Sequence, residues 1–212
     1  MRGMQSPQES RGPAAARASL AHRVTFAEFL AKLPAKDRAA AERRVAALDA
    51  AGDAARAALW QRLACALVTL APHAAKLVGK QTLQVYVADG PRFRKQVFAL
   101  EDLQDGNFTV YCPDVLDEAV GAGLLARSPT GAGDEYVTAA APGDAPLRIQ
   151  RLDGKQLAAA HVKDLTGWNR KALQITVPPA PSDAQVEAAE LLCATAAQHF
   201  VRAALPADGS KD

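Results

Sequence analysis

Little in this sequence announces a chemistry. Its 212 residues include 3 cysteines and 4 histidines. Cys65, Cys112 and Cys193 are odd in number and far apart, which excludes the disulfide framework of a small secreted domain. His22, His73, His161 and His199 take part in no His-x-x-x-His pattern, and there is no Cys-x-x-Cys, so no metal and no cofactor is expected. No apolar run nears the roughly 20 residues that a bilayer-crossing helix needs, and no membrane is expected as a partner. Aromatic residues make up only 5% of the chain. Its apolar content of 49% is therefore carried largely by alanine and aliphatic side chains. Alanine-rich helices pack closely but remove little area from water per residue.

The net charge of +2 hides an uneven distribution. Residues 1–80 hold 13 Lys+Arg against 6 Asp+Glu, which is +7, and residues 81–212 hold 12 against 17, which is −5. A basic first part and an acidic remainder can neutralise one another by packing, or the basic part can meet an acidic partner. No run of five like charges marks a nucleic-acid-binding tail. The first 24 residues, poor in acids and carrying Arg2, Arg11 and Arg17, share those features with transit peptides but read as a disordered leader. The expected location is the cytoplasm.

Past the leader, the period of the apolar residues divides the chain. Thr25 and Glu28 make a capping box, Pro34 interrupts the first helix, Gly52 ends the second, and Asp53 opens a third. In that third helix Leu59, Leu63, Leu67 and Leu70 recur at helical spacing. A short further helical turn is read between Pro72 and Gly79, so residues 25–79 form a helical segment. From residue 81 the period falls to two. "TLQVYVA", "FRKQVFAL" and "NFTVYC" are three strands of a meander, followed by a helix over residues 113–125 and strands near 136–139, 147–152 and 172–177. Ser182 and Gln185 then form a second capping box, opening a helix of some 22 residues with Val186, Ala189, Cys193, Ala196 and Phe200 on one face. The tail over 206–212 reads as disordered.

The expected fold is α+β. A helical segment precedes an antiparallel sheet of five to six strands with one inserted helix, and the long C-terminal helix covers one sheet face, the α+β domain spanning residues 80–205. This succession of elements resembles the small α+β folds of type III secretion chaperones and YbjN-like proteins.

Candidate sites are few. The Gly-rich "SPTGAGDE" lacks the Gly-Lys-Ser/Thr ending of a phosphate loop. Arg92, Arg94 and Lys95 cluster beside a turn, where solvation suffices, and nucleic acid is not expected as a partner. Cys112, at a strand–helix junction, is the sharpest candidate for a catalytic nucleophile, with His161 as a base. Its alternation with Phe108 and Val110 nevertheless points it into the core, where a thiol acts as a small hydrophobe. "HVKDLTGWNRK" gathers His161, Lys163, Asp164, Trp168, Asn169 and Arg170 in an expected loop of the kind that binding surfaces use. Tyr86 and Tyr111 share the polar sheet face with Thr82, Gln84, Thr109, Gln174 and Thr176, an arrangement suited to a protein interface. The function expected on this basis is a non-enzymatic interaction, adaptor or chaperone-like module that binds a protein partner or itself as a homodimer. The rival is a small-molecule-binding or thiol-dependent enzyme with a pocket between the sheet and the C-terminal helix.

Overall fold

The computed structural model describes residues 13–79, 82–88, 94–102, 106–131, 133–153, 155–156 and 171–200. Four helices come first: α1 (Pro13–Leu20), α2 (Phe26–Lys32), α3 (Ala35–Ala50) and α4 (Ala54–Leu70). Side chains fix their boundaries. The Thr25 hydroxyl accepts from the Glu28 amide at 3.2 Å, and the Glu28 carboxylate accepts from the Thr25 amide at 2.7 Å, which satisfies two of the free donors at the start of α2. Pro34 stands immediately before α3, and Gly52, with φ at +75°, closes it in a backbone conformation that glycine adopts at no steric cost. Asp53 then accepts from the Arg56 amide at 3.2 Å and starts α4.

Eight strands follow: β1 (Ala74–Val78), β2 (Thr82–Ala88), β3 (Arg94–Asp102), β4 (Phe108–Pro113), β5 (Leu125–Arg127), β6 (Glu135–Thr138), β7 (Leu147–Asp153) and β8 (Lys171–Val177). A short helix, α5 (Leu116–Gly121), separates β4 from β5, and α6 (Asp183–Phe200) ends the described chain. The spatial order is β1-β2-β3-β4-β8-β7-β6-β5, with every neighbouring pair antiparallel. Two four-stranded meanders thus lie side by side, joined where β8 pairs with β4. The C-terminal capping box is present: Ser182 Oγ accepts from the Gln185 amide at 3.2 Å, and Gln185 Oε1 accepts from the Ser182 amide at 2.8 Å.

Three expectations are corrected here. Residues 74–78 form an edge strand, not a helical turn, because the stretch between Pro72 and Gly79 is too short for a stable helix and finds a ladder partner in β2. The expected helix over 113–125 shrinks to α5: Pro113 stays in β4 opposite Ala172, Asp114 accepts from the Leu116 amide at 3.2 Å, and Gly123 turns the chain into β5. These two changes account for eight strands instead of five to six. Residues 13–20 of the expected leader form α1, whose Ala16 and Leu20 are buried and whose packing partner is α6; residues 1–12 and the tail over 206–212 lie outside the described residues. A feature for which no expectation stood is a bulge in β3, where Val85 faces Phe98 but Tyr86 faces Gln96. Val97 is the extra residue, so Val97 and Phe98 both join the core and Gln96 turns to the polar face.

The helices cover one sheet face. α4 is apolar nearly all round, as expected of a helix sandwiched between the sheet and the outer helices. It packs on β2 and β3, while α6 packs on β4 and β8 and against α1 and α4. Phe26, Phe29 and Trp60 make an aromatic cluster between α2 and α4, with Trp60 edge-on to Phe29 at 5.9 Å between ring centroids. At the end of the inward row Phe98, Leu100, Asp102, the buried Asp102 carboxylate pairs with Arg44 of α3 and Arg56 of α4. The Arg56 guanidinium also lies 5.2 Å from the centre of the Phe108 ring. Two cations on one carboxylate tie both helices to β3, and removing the carboxylate would leave two guanidiniums without it.

Candidate functional site

Tyr86 and Tyr111 flank β3 on the sheet face opposite the helices, as the alternation predicts. They do not present an open surface, since their relative exposures are 8% and 5%. The Tyr86 hydroxyl donates to Gln84 Oε1 at 2.7 Å, and the Tyr111 hydroxyl donates to Glu101 Oε2 at 3.1 Å. Burial, the neighbouring Glu101 charge and that hydrogen bond all push the Tyr111 phenol well above its ordinary pKa. Lys76 of β1 stands over the Tyr86 ring at 5.1 Å. Ala99, Tyr111, Leu152 and Ala172 form a small apolar cluster on this face, separate from the main core. Nearby, the Gln96 carboxamide is 1% exposed, and among the described residues neither its oxygen nor its nitrogen has a hydrogen-bond partner, nor has the buried Thr109 hydroxyl.

Cys112 belongs to the inward row with Phe108 and Val110 and has no exposed surface. A hydrogen bond with the Cys193 thiol of α6, followed by burial, raises its pKa, so the group is a protonated thiol at neutral pH. His161, Lys163, Asp164, Trp168, Asn169 and Arg170 lie outside the described residues. Among the described residues, no three His, Cys, Asp or Glu side chains gather closely enough to hold a metal ion, and no helix is long and apolar enough to cross a membrane.

A site that the alternation pattern does not reveal lies on the helical side. Ala55, Ala58 and Leu59 of α4, the Pro179–Pro181 connection and Val186 of α6 enclose a cleft of about 370 Å³. Its formation follows from side-chain size, because Ala55 and Ala58 are exposed methyl groups that leave the α4 backbone uncovered. Arg62 and Asp183 complete the wall. The Arg62 guanidinium is held from behind: Nε and Nη2 donate to the two carboxylate oxygens of Glu190 at 3.0 and 3.1 Å. Glu190, buried within α6, also accepts from Arg23 at 2.6 Å. This bidentate grip fixes the plane of the guanidinium and raises the Arg62 pKa. Among the described residues the remaining nitrogen, Nη1, meets only the fully exposed Asp183 carboxylate, at 3.4 Å. A smaller cavity of about 200 Å³ on the other side of Arg62 is lined by Arg17, Leu20, Arg23, Glu187 and Glu190.

The cleft can therefore accept an apolar group and, at its rim, an acceptor for one well-oriented guanidinium nitrogen. Sequence reasoning missed it, although a signal exists. Arg62 interrupts the Leu59–Leu63 stripe and Glu190 interrupts the Ala189–Cys193 stripe, and charges inside apolar stripes of neighbouring helices are the mark of a buried ion pair. Comparison with known proteins finds no family model, no curated protein and no solved structure that matches this chain.

Proposed function

We propose that this protein is a non-enzymatic interaction module, of the adaptor or chaperone kind, that works in the cytoplasm and holds a segment of a partner protein. The observation that carries the reading is the cleft between α4 and α6, where an apolar wall adjoins a guanidinium whose outward nitrogen has only an exposed, weakly held partner. Exposed ion pairs such as Arg62–Asp183 contribute little to stability and are readily exchanged, so an incoming acidic group replaces Asp183 at small cost. Three free, buried cysteines accord with a reducing compartment.

The rival reading, a small-molecule binder, has the cleft volume in its favour, since ligand pockets start at about 300 Å³. Its thiol-enzyme form is disfavoured by the burial and protonation of Cys112. A photoreactive side chain at Ala58 separates the two. Crosslinking in cells to one identified protein, lost when Ala55→Arg at the exposed α4 wall fills the cleft, is the expected result. A purified chain that instead carries a discrete small mass in native mass spectrometry, with no protein crosslinked, would overturn it.

A further inference from the structure

Resting on that reading, we propose that the cleft receives the carboxyl terminus of the partner chain, with the terminal carboxylate on Arg62 Nη1 and the last side chain, an aliphatic one, against Ala58, Leu59 and Val186. Three features of the wall narrow the occupant in this way. The first is the half-used guanidinium: Glu190 takes one hydrogen each of Nε and Nη2, so the outward edge keeps both hydrogens of Nη1 and one of Nη2, held in a fixed plane and opposed by the exposed Asp183 at 3.4 Å, for one more carboxylate. The second is the distance between charge and apolar surface. In a terminal residue the carboxylate is bonded to the same Cα that bears the side chain, so one residue reaches both the guanidinium and the adjacent apolar wall. The third is what the wall lacks. Pro179 and Pro181 have no amide hydrogen, and apart from Arg62 the α4 side of the cleft is made of alanine and leucine side chains. A chain running through the cleft would bury backbone groups against partners unable to bond them, at a cost that a chain end avoids. α6 also begins at the cleft, so the positive end of its dipole adds to the preference for an anion.

The test uses the full chain and synthetic hexapeptides followed by isothermal titration and amide chemical shifts. One peptide ends in leucine with a free carboxylate, a second is its C-terminal amide, a third carries an internal Asp beside leucine with its end amidated, and 4-methylpentanoate serves as the small-acid probe. The free-acid peptide should bind saturably, with shifts confined to α4 and α6 residues lining the cleft. Amidation should weaken it by about tenfold or more, and the internal-Asp peptide should bind no better than the amide. Arg62→Lys, which keeps the charge and loses the fork, should abolish the preference for the free acid. Ala58→Leu, which narrows the cleft without touching the ion pairs, should weaken the free-acid peptide while leaving the fold intact by circular dichroism. Equal binding of acid and amide, or no binding of either while the Ala58 crosslink to a partner protein still forms, would sink the inference and leave the interaction reading standing. Tight binding of 4-methylpentanoate at the same shifts, with the peptide no tighter, would assign the cleft to a small organic acid and sink both.

Discussion

At the scale of single residues, the buried thiols make a claim about pH. Burial pushes the Cys65 thiol up to about 11 from its ordinary 9.0, and the hydrogen bond with Cys193, with burial, raises Cys112. In the unfolded chain both thiols ionise near the ordinary value, whereas in the folded chain they keep their protons. For Cys65 that stability is fully present below about pH 9 and is lost as pH rises toward about 11, and for Cys112 it is lost from about pH 9 upward, by at most about 1.4 kcal/mol per pH unit for each thiol. Urea midpoints measured from roughly pH 8 to 11 should fall more steeply for the natural protein than for a Cys65→Ala, Cys112→Ala variant; parallel slopes would refute this assignment. Gln96 makes the opposite kind of claim. Its buried amide has no partner among the described residues, and an unmade hydrogen bond costs more than a neutral apolar replacement. Gln96→Leu should therefore raise the unfolding free energy by about 1 kcal/mol, and a loss of stability would show that the amide holds a bound group. The inward direction of Cys112 was legible because β4 alternates without a break. The burial of Gln96 was not: with Arg92 and Arg94 it reads as a solvated position, yet it is buried, and only the extra residue at Val97 keeps it off the face of Phe98 and Leu100. A bulge changes direction without changing composition, so nothing in the residue types around it reports its presence.

At the scale of elements, caps were legible and edges were not. Thr25–Glu28, Asp53 and Ser182–Gln185 act as the sequence predicts because each cap is made within three residues and needs no distant partner. β1 and β5 are strands only because a neighbour lies alongside, and their five and three residues carry too few alternations to be read. The way β1 ends the sheet was also invisible. Its Leu77 amide points away from β2 and donates to Asp37 Oδ2 at 3.2 Å, the buried carboxylate coming from the first turn of α3. An unpaired sheet edge is a template for another strand, and here a helix side chain closes one of its open donors while Lys76 adds charge beside it. Asp37→Ala should cost about 1.5 kcal/mol, the upper part of the range for a hydrogen bond that is lost. It should also introduce concentration-dependent light scattering in the native protein. A variant that loses stability but stays monodisperse would mean that the carboxylate holds α3 in place without guarding the edge.

At the scale of the whole molecule, the division of the sequence into a helical segment and an α+β domain does not correspond to a division of the core. A single cluster of buried residues runs from Phe29 and Trp60 through Leu63 and Leu67 of α4 to Leu83 and Phe98 of the sheet, and on through Ile175 to Cys193 of α6. The boundary near residue 80 that the change of period marks is a change of secondary structure alone. Period records how one element repeats and says nothing of what its apolar stripe rests on. Charge follows the same logic: the basic first part meets the acidic remainder inside the fold, at Arg44 and Arg56 on Asp102 and at Arg23 and Arg62 on Glu190. If helices and sheet share one core, neither is stable alone, and the chain should unfold as one unit. In a Trp168→Phe background, the remaining Trp60 reports from the aromatic cluster of α2 and α4, and far-ultraviolet circular dichroism reports the sheet and helices together. The two should lose signal at one urea midpoint, and a fragment beginning at Gln81 should lack dispersed amide resonances because its inner face, with Leu83, Val85 and Phe98, would be left in water. If Trp60 instead reported a first transition well below the midpoint of the sheet, or if the fragment folded, the helical segment would be a separate unit resting on the sheet, and the ion pairs at Asp102 and Glu190 would be docking contacts between two units.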